Sequence, residues 1–162
     1  MAKVGLAEEN ALRLANPLVA EESVLRISLI PGLLKAVSYN QSHRNRDISL
    51  FEIGHVYPQG TQVLPDEFES LCIMVAGADA SAAVDLWSQL SAGLSVGAQL
   101  SQDNPPAGYH LTRSAQLRRG KVVLGAIGEI DPTVLANFGV VGRVACVEVN
   151  LSLLLADTPK PA

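Results

Sequence analysis

Cysteine is scarce in this sequence: 162 residues carry two, and each lies in an apolar run, LCIMVA around Cys72 and VACVEV around Cys146. Two isolated thiols lack the paired spacing of a zinc site, and in such surroundings a thiol behaves as a small buried hydrophobe. The lack of a disulfide pattern fits a reducing cytoplasm. Histidine is nearly as rare, and no two of His43, His55 and His110 stand at metal-ligand spacing, so no zinc site is expected. His55, between apolar residues, reads as structural, and His43 and His110 as solvated loop residues.

Charge is also sparse. Charged residues make up 17% of the chain against 48% hydrophobic, which excludes intrinsic disorder and leaves apolar surface to spare for neighbours. The net charge of −4 provides no global basic field for gripping a nucleic-acid backbone, so any RNA contact has to be local. Two small basic groups are candidates, Arg44 with Arg46, and Arg118, Arg119 and Lys121; such groups are more often plain solvated turns. No apolar run approaches the ~20 residues that span a bilayer, and the N-terminus lacks a basic region followed by an apolar secretory segment. A soluble cytoplasmic protein with no membrane partner is the expectation.

The remaining pattern is one of short strands and helices. Residues 1–15 read as a flexible lead-in, 16–156 as one core module, and 157–162 as a linker or tail. After the Asn16-Pro17 turn, alternation from Val24 to Leu29 predicts a short strand. Pro31 and Gly32 open a helix to about Ser42, with Ile30, Leu33, Leu34 and Val37 on one face. ISLFEIGHVY, apolar on both faces, predicts a central strand ended by Pro58. A turn at Gln59-Gly60-Thr61 and a strand from Leu71 to Ala76 come next. An amphipathic helix from Ser81 to about Val96, anchored by Trp87, is predicted to lie on the sheet.

Beyond a loop at Asn104-Pro105-Pro106, strands from Ser114 to Arg118 and from Val122 to Glu129 form a hairpin about Arg119-Gly120. Asp131-Pro132 starts a short helix that Gly139 stops in the left-handed conformation. Val144 to Val149 is the last strand, and Asn150 caps a final turn through Leu155. The class is therefore α+β, a largely antiparallel sheet flanked by helices. Within it Glu52 is out of place in an apolar strand, and a buried carboxylate needs a partner, for which Arg26 is the candidate in a structural ion pair between neighbouring strands. Gly54 beside it permits close approach of another group, such as a subunit interface.

Four ordered segments resemble the beta subunit of bacterial phenylalanyl-tRNA synthetase. The first is Asn16-Pro17-Leu18 with Glu22-Ser23, Leu25-Arg26 and Ser28-Leu29. The second is Pro31-Gly32-Leu33-Leu34 with Val37 and Asn40, and the third runs Leu50 to Tyr57. The fourth spans Gly125 to Val134, with Gly128-Glu129 and Asp131-Pro132. The sequence departs from the family at Asp131 and at Leu111, in that the family often has histidine-proline where Asp131-Pro132 stands and again where His110-Leu111 stands before Arg113-Ser114-Ala115.

The resemblance implies a class II aminoacyl-tRNA synthetase-like fold. It also implies a place in an alpha-beta heterotetramer that attaches phenylalanine to its tRNA using ATP and magnesium, with the alpha subunit and, through the holoenzyme, tRNA as partners. The module itself is expected to be non-catalytic and without cofactor. Adenylate formation uses one arginine after a strand and a second after a glycine-rich strand-to-helix junction. Pro58 stands at the first place, and Val144 to Leu151, with Glu148 and no following arginine, at the second. The alternatives are a working ligase subunit and a free-standing synthetase-like ligand-binding domain.

Overall fold

The computed structural model describes residues 25–58 and 66–156. The lead-in, the Asn16-Pro17 turn, Val24, the Gln59-Gly60-Thr61 turn and the tail lie outside the described residues.

α1 (Ile30–Ser42) carries Pro31 in its first turn, where a missing N–H costs nothing, and buries Ile30, Leu33, Leu34 and Val37. β1 (Ser49–Val56) and β2 (Phe68–Ala76) follow. α2 (Ala80–Leu94) begins at Asp79, whose carboxylate accepts from the Ser81 and Ala82 amides, and ends at Ser95 in the left-handed conformation. A three-residue strand, β3 (Gln99–Ser101), was not legible in the sequence. β4 (Tyr109–Arg119) and β5 (Val122–Ile130) form the predicted hairpin, turning at Gly120 with φ +59°. α3 (Pro132–Asn137) is capped by Asp131 and closed by Gly139 at φ +68°. β6 (Val144–Asn150) runs into α4 (Leu151–Leu155), whose Leu153 amide is taken by the Asn150 side chain.

The strands form one antiparallel sheet in the order β1-β2-β6-β5-β4-β3. Because side chains alternate across a strand, the sheet has two apolar faces and a core on each. α1 and α3 cover one, burying Cys72, Met74, Tyr109, Ile130 and Cys146 among their own leucines and valines. α2 and α4 cover the other, with Trp87 and Ala83 of α2 against Leu117, Ile127, Val147 and Val149. At the β4–β5 contact Gly128 has φ +138°, and a Cβ there would strike the Arg113 carbonyl, so only glycine allows this pairing.

Three expectations need correction. The central strand is in fact β1, at the edge of the sheet. Leu50 and Val56 turn toward the α1 core, but Phe51 and Ile53, on the other face, are 72% and 52% exposed. Apolar residues on both faces therefore mark an uncovered face here, not a central position. Residues 25–29 form no strand, because the Ser28 hydroxyl and Leu29 amide are both drawn to Glu148, turning the chain over the sheet into α1. His110 lies on β4, not in a loop, and its ring Nδ1 accepts from the Thr112 amide at 3.2 Å.

Candidate functional site

A cleft of about 420 Å³ lies on the α1 face, between the start of α1 and the strands. Its walls are mostly apolar, among them Val56, Phe68 and Val149, and its polar groups include Ser70, Gln116, Glu148 and Asn150. The register explains how they converge: Cys72, Ala126 and Glu148 are cross-strand partners, and Gln116 pairs with Ala126, so this row projects from one face. No lysine or arginine among the described residues lines the cleft.

Glu148 is the charged group of the cleft. One of its oxygens accepts from the Leu29 amide at 2.7 Å, and both lie within 3.0 Å of the Ser28 hydroxyl. The same hydroxyl lies 3.1 Å from the Ile30 amide and accepts its hydrogen. First-turn amides of a helix have no partner within it, and Leu29, at the start of α1, has no side-chain cap of its own. Glu148 supplies the missing acceptor, placing negative charge at the positive end of the helix. Burial pushes its carboxyl above the ordinary range, and the Leu29 and Ser28 hydrogen bonds pull part of the way back.

The two thiols lie on adjacent strands of the same face, Cys72 Sγ 3.7 Å from Cys146 Sγ, both free and fully buried. The Tyr109 hydroxyl is 3.3 Å from Cys146 Sγ. Burial, followed by the neighbouring Cys146 thiol, raises the Cys72 pKa, so it stays a neutral thiol packed as a hydrophobe. No group of three or more potential metal-ligating side chains occurs among the described residues.

The structure brings Arg26 and Glu52 together. Arg26 Nη1 is 2.6 Å from Glu52 Oε1, and Arg26 Nε donates to the His55 carbonyl at 2.7 Å. The pair differs from the expectation in two respects: Arg26 is not on a strand, and Glu52 is not buried, the side chains being 45% and 34% exposed. A Cβ on Gly54 would collide with the Arg26 guanidinium, so the group that approaches this glycine is that side chain. His55 Nε2 stands 3.8 Å from Glu67, exposed, and His43 caps α1 with its ring against Tyr39, centroids 4.2 Å apart.

Of the basic groups, Arg118 donates to Gln116 Oε1 and the Lys121 carbonyl, and Arg119 to the Leu154 carbonyl. Arg44 and Arg46 stand exposed on the α1–β1 turn.

Sequence reasoning missed the strongest polar cluster. Glu129 is 2% exposed and accepts from Arg143 at 2.6 and 3.1 Å, from Arg113 at 2.9 Å and from the Ala80 amide at 3.1 Å. It ties β4, β5, the entry to β6 and the start of α2 at one point. Burial raises its pKa, but the Arg143, Ala80 and Arg113 hydrogen bonds outweigh burial and leave it lowered. The signal was available: VVLGAIGEI sets a carboxylate in an apolar strand just as LFEIG does.

Residues 2–151 match the family described as phenylalanyl tRNA synthetase beta chain CLM domain. The phenylalanine–tRNA ligase beta subunit of Geobacter sulfurreducens is 34% identical across 91% of this chain, and that of Rhodospirillum rubrum 31% identical across 95%. The chain spans about a fifth of the length of these relatives, 20% and 21%. Among solved structures, two of pyrrolysyl-tRNA synthetase from Desulfitobacterium hafniense superpose with TM-scores of 0.67 and 0.68 at 16% and 18% identity. They cover 94% and 95% of this chain and 55% and 57% of theirs, a likeness of fold alone.

Proposed function

The chain belongs to the family of phenylalanyl-tRNA synthetase beta chain CLM domains, and from that premise we propose that it is a non-catalytic assembly module of a phenylalanine–tRNA ligase. In this reading it supports, within an alpha-beta heterotetramer, the ATP-dependent attachment of phenylalanine to tRNA, and it binds no nucleotide itself.

The observation that carries the reading is Glu148. Its carboxylate faces the cleft while holding the start of α1, and no cation among the described residues stands there to meet a triphosphate. Negative charge beside a phosphate raises the energy of the bound anion, and adenylate chemistry depends on donors aimed at developing negative charge. Nor do the donors suit magnesium, since the Glu148 oxygens are engaged by Ser28 and Leu29. This lining supports a place for ATP and magnesium elsewhere in the holoenzyme, not in this cleft.

Assembly draws support from the face of β1 that no described element covers, where Phe51 and Ile53 expose large side chains beside the partly buried Ile73 and the buried Leu71. An exposed apolar patch on an edge strand favours a protein neighbour.

Titration calorimetry of MgATP into the chain tests the first half of the reading, with no binding expected up to millimolar nucleotide. Saturable binding would revive a working ligase site. The second half is tested by Phe51→Ser with Ile53→Ser in the full beta subunit. Weakened co-elution with the alpha subunit is expected, and wild-type co-elution would remove this face from the assembly. The rival reading, a free-standing ligand-binding domain, also draws on the cleft, and a chain active without an alpha subunit would favour it.

A further inference from the structure

The structure separates two basic groups that look alike in sequence. On the β4–β5 hairpin the guanidiniums are spent locally: Arg118 reaches Gln116 and Lys121, and Arg119 fastens the hairpin to Leu154 of α4. On the α1–β1 turn, Arg44 and Arg46 make no ion pair or side-chain hydrogen bond among the described residues. Asp47, next to them, is exposed and paired with neither.

These two arginines flank a surface cleft of about 470 Å³, closed on its far side by Ala76, Gly77 and Val141. The other polar groups there are satisfied among themselves. The Gln41 amide both donates to and accepts from the Val141 backbone at 2.9 Å, and Asn45 Nδ2 donates to Asn40 Oδ1 at 2.8 Å. No carboxylate among the described residues lines the cleft. What remains is two forks of N–H donors with positive charge, geometry that suits phosphate oxygens. Arg44 also holds φ +62°, a conformation that glycine or asparagine adopts more cheaply.

We propose that Arg44 and Arg46 contact the phosphodiester backbone of tRNA in the assembled ligase. The inference rests on the assembly reading above, which brings the module into an enzyme whose substrate is tRNA. With a net charge of −4 the module has no long-range field to hold RNA, and two guanidiniums uncommitted among the described residues, beside a cleft that no described carboxylate lines, form a local contact. The contact positions the backbone and reads no base.

A structural alternative makes a different prediction. Cations near the end of α1 complement its dipole, so a purely structural role lowers stability and leaves RNA affinity alone. The test uses the full heterotetramer with Arg44→Gly, Arg46→Gln and both together. Arg44→Gly removes the charge while easing the backbone, so the fold is kept. For the double variant, the slope of log affinity for tRNA against log salt, from 50 to 200 mM KCl, is expected to fall by about 1 to 2. Melting temperature stays unchanged or rises, and affinities converge at high salt.

An unchanged slope overturns the proposal, as does a drop in melting temperature with the slope intact. Lys121→Gln is the control on the hairpin, and an equal loss of slope there overturns the localisation. Phenylalanine-dependent ATP–pyrophosphate exchange, which needs no tRNA, and subunit co-elution report separately on the assembly reading, so its failure is distinguishable from loss of the tRNA contact.

Discussion

Replacing Glu129 by alanine is expected to be the most costly single change to a polar side chain in the described residues. Two parts make up the cost. The Ala80 amide at the first turn of α2 has Glu129 as its acceptor, Asp79 being used by Ser81 and Ala82, and a stranded amide costs about 1–3 kcal/mol. Arg113 and Arg143 are 40% and 52% exposed and regain water when released, so each pair counts near the surface value of up to ~1 kcal/mol, not as a buried charge. Together these give about 3 kcal/mol, or roughly 6–12 °C in melting temperature for a domain of this size.

Glu129→Gln keeps an acceptor for Ala80 and loses the charge, so about half the effect is expected. The sign with pH follows from the lowered pKa. Stability from Glu129 is present above the unfolded carboxylate value, near 4.5, and lost as pH falls through the lower folded value. Thermal and urea unfolding of both variants from pH 8 to pH 3 checks this. A wild-type advantage over Gln that is flat down to about pH 5 and shrinks below it is expected. A cost under ~0.5 kcal/mol for the alanine variant at pH 7, or an advantage that grows with acid, would refute the reasoning.

Glu148 is expected to behave in the opposite sense. Its pKa is raised, so ionised Glu148 costs stability as pH rises through the folded value, and Glu148→Gln, which still accepts from Leu29, should match or exceed wild type at pH 8 and lose that advantage in acid. Glu148→Ala should instead lose about 1–3 kcal/mol by stranding the Leu29 amide; chemical denaturation of the two variants decides, and a Gln variant as damaged as Ala would remove the capping role. Glu52→Gln should cost no more than ~1 kcal/mol near neutral pH, with the loss fading in 1 M salt, because both members of the pair are partly exposed to water. Thermal stability unchanged at low salt would show that this pair contributes nothing.

Local signals carried most of the element order. Asp131-Pro132, Asn150 and Pro31 act through atoms one to three residues away, so their roles as caps and first-turn residues could be read before any fold was known. Periodicity likewise marked Trp87 as the anchor of α2 and the buried side of α1, and the ordered motifs identified the family. Apolar character also told that Cys72 and Cys146 would be packed, though not that they would meet 3.7 Å apart.

Only the tertiary structure decided strand order and the fate of the carboxylates. Whether β1 is central or at the edge depends on which strands lie beside it, and sequence records only its composition. Glu52, Glu129 and Glu148 each interrupt an apolar strand, yet one is a third exposed and paired with Arg26, one is clasped by two arginines and one caps a helix. Arg113 is 16 residues from Glu129, and Leu29 is 119 from Glu148. A charge's partner is chosen by distance in space, which the sheet sets, and so the chemistry of the cleft followed from the fold.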